Sequence, residues 1–176
     1  PMARTITKRT LLGFQSGKIN AHCFDNMINQ FQNKSDQVIT KLTKSKFWNL
    51  KGDVRVKFDA IVGNPPYQEN ISSGTNSSLS KQLFPSFIIA SIKMEPDYIS
   101  LITPSRWFTG NAQDKSFLKL REFLIENQHF EKIYNYFNNK DIFPGVIIGS
   151  INYFLYNKNY EGNVEFFEIS GSEKTM

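Results

Sequence analysis

A chain of 176 residues is one domain, or one domain's worth of a larger protein, and is long enough to bury a core without covalent staples. With 40% hydrophobic and 14% aromatic residues it is no disordered chain; its apolar runs of four or five are too short to cross a membrane as a helix, and one cysteine, Cys23, excludes an internal disulfide and a cysteine-rich zinc site. The formal charge of +5 is uneven, since residues 1–57 hold 11 Lys and Arg against 3 Asp and Glu while the remainder hold 10 against 13, and a basic leading segment points to a polyanion, nucleic acid first.

Between Ile19 and Phe31, apolar residues recur at Phe24, Met27, Ile28 and Phe31, the spacing of one helix face. Val38, Ile39 and Leu42 predict a second short helix after the polar Asn33–Asp36 break. Lys51–Lys57 is polar and turn-like. Phe58-Asp59-Ala60-Ile61-Val62 reads as a strand stopped by Gly63-Asn64-Pro65-Pro66, because consecutive prolines lack the N–H groups a central strand needs. Gln68–Ser80, rich in Asn, Ser, Gly and Thr, reads as a flexible loop. From Leu79, the positions Leu83, Phe84, Phe87, Ile88 and Ile92 predict an amphipathic helix ended by Glu95-Pro96-Asp97. Tyr98–Ile102 is a buried-strand pattern stopped by Pro104. Phe117, Leu120, Phe123 and Leu124 mark another helix. Phe130–Phe137, Gly145–Asn157 and Val164–Ile169 then read as β segments, with Tyr160-Glu161-Gly162-Asn163 as the turn before the last. Strands alternate with helices and then follow one another. This predicts an α/β doubly wound sheet with antiparallel strands at the C-terminal end. The chain divides into a basic, partly helical segment, 1–57, and a second part, 58–176.

Phe58–Tyr67 carries the chemistry. An apolar strand delivers Asn64, two prolines and Tyr67 to its carboxyl end, where open α/β sheets bind ligands. The prolines stiffen the backbone and remove two donors, leaving carbonyls free to accept. Asn64 offers a side-chain oxygen and Tyr67 a flat face. The set suits a planar substrate with an amino group, the amine donating to Asn64 and to the Pro65 carbonyl while Tyr67 stacks on the ring.

Asn64-Pro65-Pro66-Tyr67, placed after an Asp-led apolar strand, resembles the catalytic motif of amino-methyltransferases that use S-adenosylmethionine, above all the adenine-specific DNA methyltransferases. The resemblance runs through roughly residues 58–160. Ile102-Thr103-Pro104-Ser105-Arg106-Trp107-Phe108 is similar to the next strand of type IIG restriction–modification methylases, and Asp141-Ile142-Phe143-Pro144-Gly145 resembles a later family motif. The resemblance implies a Rossmann-like methyltransferase fold, partial in extent. It also implies S-adenosylmethionine as cofactor and double-stranded DNA with a flipped adenine as partner. In that family Asn64 and Pro65 hold the amine beside the cofactor methyl, Pro66 completes the motif, Tyr67 stacks on the base, and Phe143 packs on its other face. Arg106 is a candidate for the DNA backbone, Lys81 for a phosphate or the cofactor, and Gly52-Asp53 for the cofactor adenine. The family's leading strand and Gly-rich turn are not found: Gly13 and Gly17 follow no convincing strand, nor does Asp25. These residues are thus expected to bind the cofactor weakly or not at all alone, the missing cofactor-binding and target-recognition portions lying on the same or another chain.

Other readings stay open. Enzymes that methylate a glutamine amide in release factors, or guanine in ribosomal RNA, share Asn-Pro-Pro-Tyr. A non-catalytic DNA-binding or scaffold fragment would place the function in the basic residues 1–57, and a decayed relative would have none. No nuclease or metal cluster is visible. The lone cysteine and the absence of an apolar leader at Pro1-Met2-Ala3-Arg4 predict a cytoplasmic protein away from membranes.

Overall fold

The computed structural model describes residue 22 and residues 26–70, 80–145, 149–171 and 173–176. Two short helices, α1 (Met27–Asn33) and α2 (Ser35–Leu42), lead into a 3-10 turn over Ser45–Trp48. The helix expected from Ile19 is seen from Met27; Gly13, Gly17 and Asp25 lie outside the described residues. Strand β1 (Ala60–Gly63) takes Gly63 into the sheet before the prolines stop it. The reading of 68–80 as a loop is corrected at both ends. β2 (Gln68–Asn70) and β3 (Ser80–Gln82) form an antiparallel pair with Gln68 opposite Gln82 and Glu69 opposite Lys81, while residues 71–79 lie outside the described residues. Both legs are polar, which is why composition alone reads them as loop.

Helix α3 (Phe84–Lys93) starts at Phe84 rather than near Leu79, with Pro85 in its first turn, where a fixed φ and a missing N–H cost nothing. β4 (Tyr98–Pro104) runs through Pro104, which ends the strand opposite Ile151 instead of preventing it. α4 (Ser116–Glu126) and β5 (Phe130–Tyr136) fall where the periodicity places them. β6 (Ile151–Asn157) is shorter than the expected Gly145–Asn157: Gly145 and Gly149 take φ of 84° and 91°, a backbone no strand uses. β7 (Glu165–Ser170) precedes a short β8 (Glu173–Thr175) that no apolar pattern announces.

The sheet order is β1-β4-β6-β5-β7-β8. β1 and β4 are parallel, as are β5 and β7; β6 runs antiparallel to β4 and β5, and β8 to β7. This is the expected α/β sheet with antiparallel strands towards the C-terminal end. Helices α3 and α4 cover one face, Phe84, Ile88, Phe117 and Leu120 packing on Ile99 and Phe154. On the far side of α3, Phe31, Val38 and Leu42 meet Phe87, Ala90 and Met94, and the Phe31 and Phe87 rings stack at 4.5 Å. Two cations of the basic segment are tied to the α3–β4 turn, Arg55 to Glu95 at 2.9 Å and Lys57 to Asp97 at 2.8 Å. Such exposed pairs contribute little stability, but they neutralise charge that a polyanion would otherwise meet.

The opposite sheet face carries a ring ladder, Tyr153 on Tyr134 at 4.9 Å and Tyr134 on Phe167 at 4.8 Å, with the Lys174 ammonium 3.9 Å over Phe167. Burial, then the Tyr136 hydroxyl, pushes the Tyr153 phenol up to about 12. Between the ordinary value of 10.0 and about 12 the unfolded chain has lost this proton while the folded protein keeps it. The stability it lends is therefore whole below the ordinary value and falls as pH rises through that window. Tyrosinate absorbance should show a late-titrating tyrosine that disappears in Tyr153→Phe, whose stability declines less over the same range. A full set of ordinary titrations in the folded wild type would refute this.

Candidate active site

β1 ends in Gly63 and hands the chain to Asn64-Pro65-Pro66-Tyr67 at the carboxyl edge of the parallel β1–β4 pair. Asn64 is exposed, Pro65 buried, and Pro66 and Tyr67 half-buried. Among the described residues no backbone N–H donates to the carbonyls of Asn64, Pro65 or Pro66, whereas the Tyr67 carbonyl accepts from Leu83 N–H at 3.0 Å. These carbonyls form a short row beside the Asn64 amide without a backbone donor among the described residues. Burial raises the Tyr67 phenol above its usual range, with the nearby Asn64 side chain opposing the shift. The Tyr67 hydroxyl is sealed from solvent without a well-formed hydrogen bond among the described residues.

Asn64, Pro65 and Pro66, but not Tyr67, line a cleft of about 260 Å³ between the end of β1, α1 and α3, walled by Met27, Phe31, Phe87, Met94 and Leu101. Asn64 and Ser91 are its only polar side chains among the described residues. An amine held there meets few competing partners, which strengthens each bond it makes.

The other candidates are not drawn together at this cleft. Lys81 lines a separate hollow with Asp114 and Lys119. Asp53 is exposed in a turn where the Ser45 hydroxyl donates to the Gly52 carbonyl at 2.6 Å, and it lines no part of the Asn64 cleft. Phe143 is half-buried after the 3-10 turn Asn139–Asp141, its N–H bonded to the Asn139 carbonyl at 2.7 Å. Trp107 is buried, and its indole N–H finds no partner among the described residues. Arg106 is exposed, and its side chain is held along the protein surface by side-chain bonds. Its Nη2 donates to Gln68 Oε1 at 2.7 Å and Gln82 Oε1 at 2.5 Å, its guanidinium lies 5.9 Å from the Phe117 ring centre, and burial lowers its pKa. Gln68 and Gln82, and the buried Asn135 and Asn152 behind them, escape a motif-based reading. Their signal is weak: polar residues in otherwise strand-like or loop-like stretches.

The Eco57I restriction-modification methylase family matches residues 1–143. The chain belongs to that family. A second line of similarity is a Mycoplasma pneumoniae protein named "Uncharacterized adenine-specific methylase", 34% identical over 145 residues, which are 74% of this chain and 34% of that protein. The Escherichia coli type II restriction enzyme and methyltransferase RM.Eco57I is 31% identical over 136 residues, 68% of this chain and 13% of its own length. The chain thus spans a minor part of each curated relative. Among solved structures, the methyltransferase subunit of a type I restriction–modification system from Streptococcus thermophilus overlaps 64% of this chain and 26% of its own, at 14% identity and a TM-score of 0.45. As a member of the Eco57I methylase family the chain carries an α/β methyltransferase fold, with the Asn64–Tyr67 motif at the end of its β1 strand. No helix among the described residues is long and apolar enough to cross a membrane.

Proposed function

We propose that this chain carries the amine-positioning part of an adenine-specific DNA methyltransferase of a restriction–modification system. The observation that supports it most is the placement of Asn64 and Pro65: at the end of β1, lining an apolar cleft, their carbonyls without a backbone donor among the described residues, in a chain of the Eco57I methylase family. Asn64 Oδ1 and the Pro65 carbonyl accept from the exocyclic amine and turn its lone pair outward. Pro66 keeps the motif rigid, and Tyr67 stacks on the base. No strong base is needed, because the amine gives up its proton to water as the new bond forms; positioning carries the rate. Phe143 is assigned the second face of the base.

S-adenosylmethionine supplies the methyl group in this reading. The described residues fit only the acceptor side of that exchange. The cleft is mostly apolar, no acidic side chain lines it, and Asp53 stands apart from it. The cofactor is therefore held with residues beyond those described, on this or another chain. The β1 strand supports this: it is the outer strand of the sheet among the described residues, and Val62 on it is 76% exposed, an apolar side chain waiting for a neighbour. We place the protein in the cytoplasm, with DNA.

Tritiated methyl transfer to mixed-sequence duplex DNA tests the reaction. Label recovered as methyladenine supports it; label on protein glutamine or on guanine of RNA would replace it with the related amide or RNA chemistry. Stacking has its own test. Tyr67→Ala should weaken capture of an extruded base by roughly 1–3 kcal/mol, read with a fluorescent adenine analogue in the duplex. Equal capture by wild type and variant would remove Tyr67 from the site.

A further inference from the structure

We propose that Arg106 is a positioning residue that staples the β2–β3 pair and thereby holds Tyr67, rather than a DNA-backbone contact; its consequence for catalysis rests on the reading just given. The pair begins directly after Tyr67, and its register sets Gln68 opposite Gln82. A single guanidinium nitrogen bonds both of these side chains, one from each strand. One residue further on, Leu83 N–H bonds the Tyr67 carbonyl. Tyr67 is therefore fixed by β1 on one side and by the stapled pair on the other. Freeing the pair would let the ring swing while the β1 end stays in place.

The turn that carries Arg106 is held from three directions. The Ser105 hydroxyl donates to Asn135 Oδ1 at 2.6 Å, and Ser105 N–H donates to the Ser150 carbonyl at 3.0 Å. Arg121 on α4 donates to the Trp107 and Gly110 carbonyls at 2.7 and 2.9 Å. Gly110 N–H closes on the Arg106 carbonyl at 2.8 Å, and a Cβ at Gly110 would collide with that same carbonyl. So much anchoring fixes the backbone that carries Arg106, and its guanidinium, although the residue is exposed, is engaged by both glutamines.

The test compares Arg106→Met, which keeps the apolar stem over Phe117, with the double variant Gln68→Ala/Gln82→Ala and with all three changes together. Amide exchange at Leu83 should quicken about tenfold or more in each, the scale of one lost charge-assisted hydrogen bond, with β4–β6 amides unchanged and the triple variant no worse than Arg106→Met. In methyl transfer, kcat should fall about tenfold in all three, while KM for DNA and its salt dependence hold, because no phosphate contact is lost. Unchanged exchange in Arg106→Met overturns the proposal. So does a salt slope reduced by about one in Arg106→Met with wild-type kcat in the glutamine variant, the signature of a phosphate contact. If the wild type, assayed together with the portion that completes its cofactor site, transfers no methyl group, the functional reading fails, and the exchange measurement still decides the staple.

Discussion

Asn64→Ala is expected to lower the rate of methyl transfer by about 10²–10³ while leaving DNA affinity as it was, the size of loss seen when one preorganised polar group is removed from a reacting centre. The reasoning is local. Asn64 is exposed, so truncating it opens no cavity in the core. What disappears is one of two acceptors for the amine, and the Pro65 carbonyl alone cannot fix both its position and its rotation. The loss should therefore appear in kcat, with KM for DNA unmoved, since an interaction made chiefly in the transition state leaves ground-state binding alone. Wild-type turnover by Asn64→Ala would reduce the motif to a turn and favour a scaffold role centred on the basic residues 1–57. The same outcome would make Arg55 and Lys57 the wrong cations to blame for DNA affinity, because both are already paired.

How much of this was readable from the residues depends on where each element's information lies. The β1 strand and its motif were plain, because an apolar run and a hard proline stop are both local. The α3 and α4 helices were plain for the same reason: Phe84, Ile88 and Ile92, or Phe117 and Leu120, repeat on one face. The β2–β3 pair was not, because its legs are polar and its cross-strand glutamines are bonded by an arginine distant in sequence. β8 is similarly silent: Glu173, Lys174 and Thr175 form a wholly polar edge, and what marks it is the Lys174 ammonium lying over Phe167 and Tyr134. Asn64 and Tyr67 could be named from the motif, but the apolar cleft and the bonds of Arg106 to Gln68 and Gln82 are facts of three-dimensional placement.

The buried polar group behind the site shows the same divide. Asn152 is wholly buried on β6, accepting from the Thr103 hydroxyl at 3.3 Å and donating to the Thr103 carbonyl at 3.2 Å. Asn135, opposite it on β5, takes the Ser105 hydroxyl. In sequence these asparagines sit in strand-like runs and look like misplaced polar residues. In the fold they satisfy the end of β4 where the backbone leaves the sheet, and so set the direction of the turn that bears Arg106. An apolar residue at either position would strand a hydroxyl or a carbonyl in the core, a cost of about 1–3 kcal/mol for each group left unpaired.

Phe84→Ala should destabilise the fold by roughly 3–5 kcal/mol, a large part of the roughly 5–15 kcal/mol that holds a domain together. Phe84 is fully buried at the first position of α3, its ring centre 5.7 Å from that of Phe117 on α4. It follows Leu83, whose N–H bonds Tyr67, so it is also the point where the β2–β3 pair is pinned to the core. Two consequences separate from each other. Urea unfolding should show a lower midpoint with an unchanged slope, since the surface exposed on unfolding is nearly the same. Below that midpoint, in protein that is still folded, exchange at Leu83 should also quicken, because the cavity frees the base of the pair before the sheet gives way. A stability loss with Leu83 exchange no faster than that of the β4–β6 amides would mean that α3 and the pair open only with the whole domain, and that Tyr67 is held by the fold at large and not by this one buried ring.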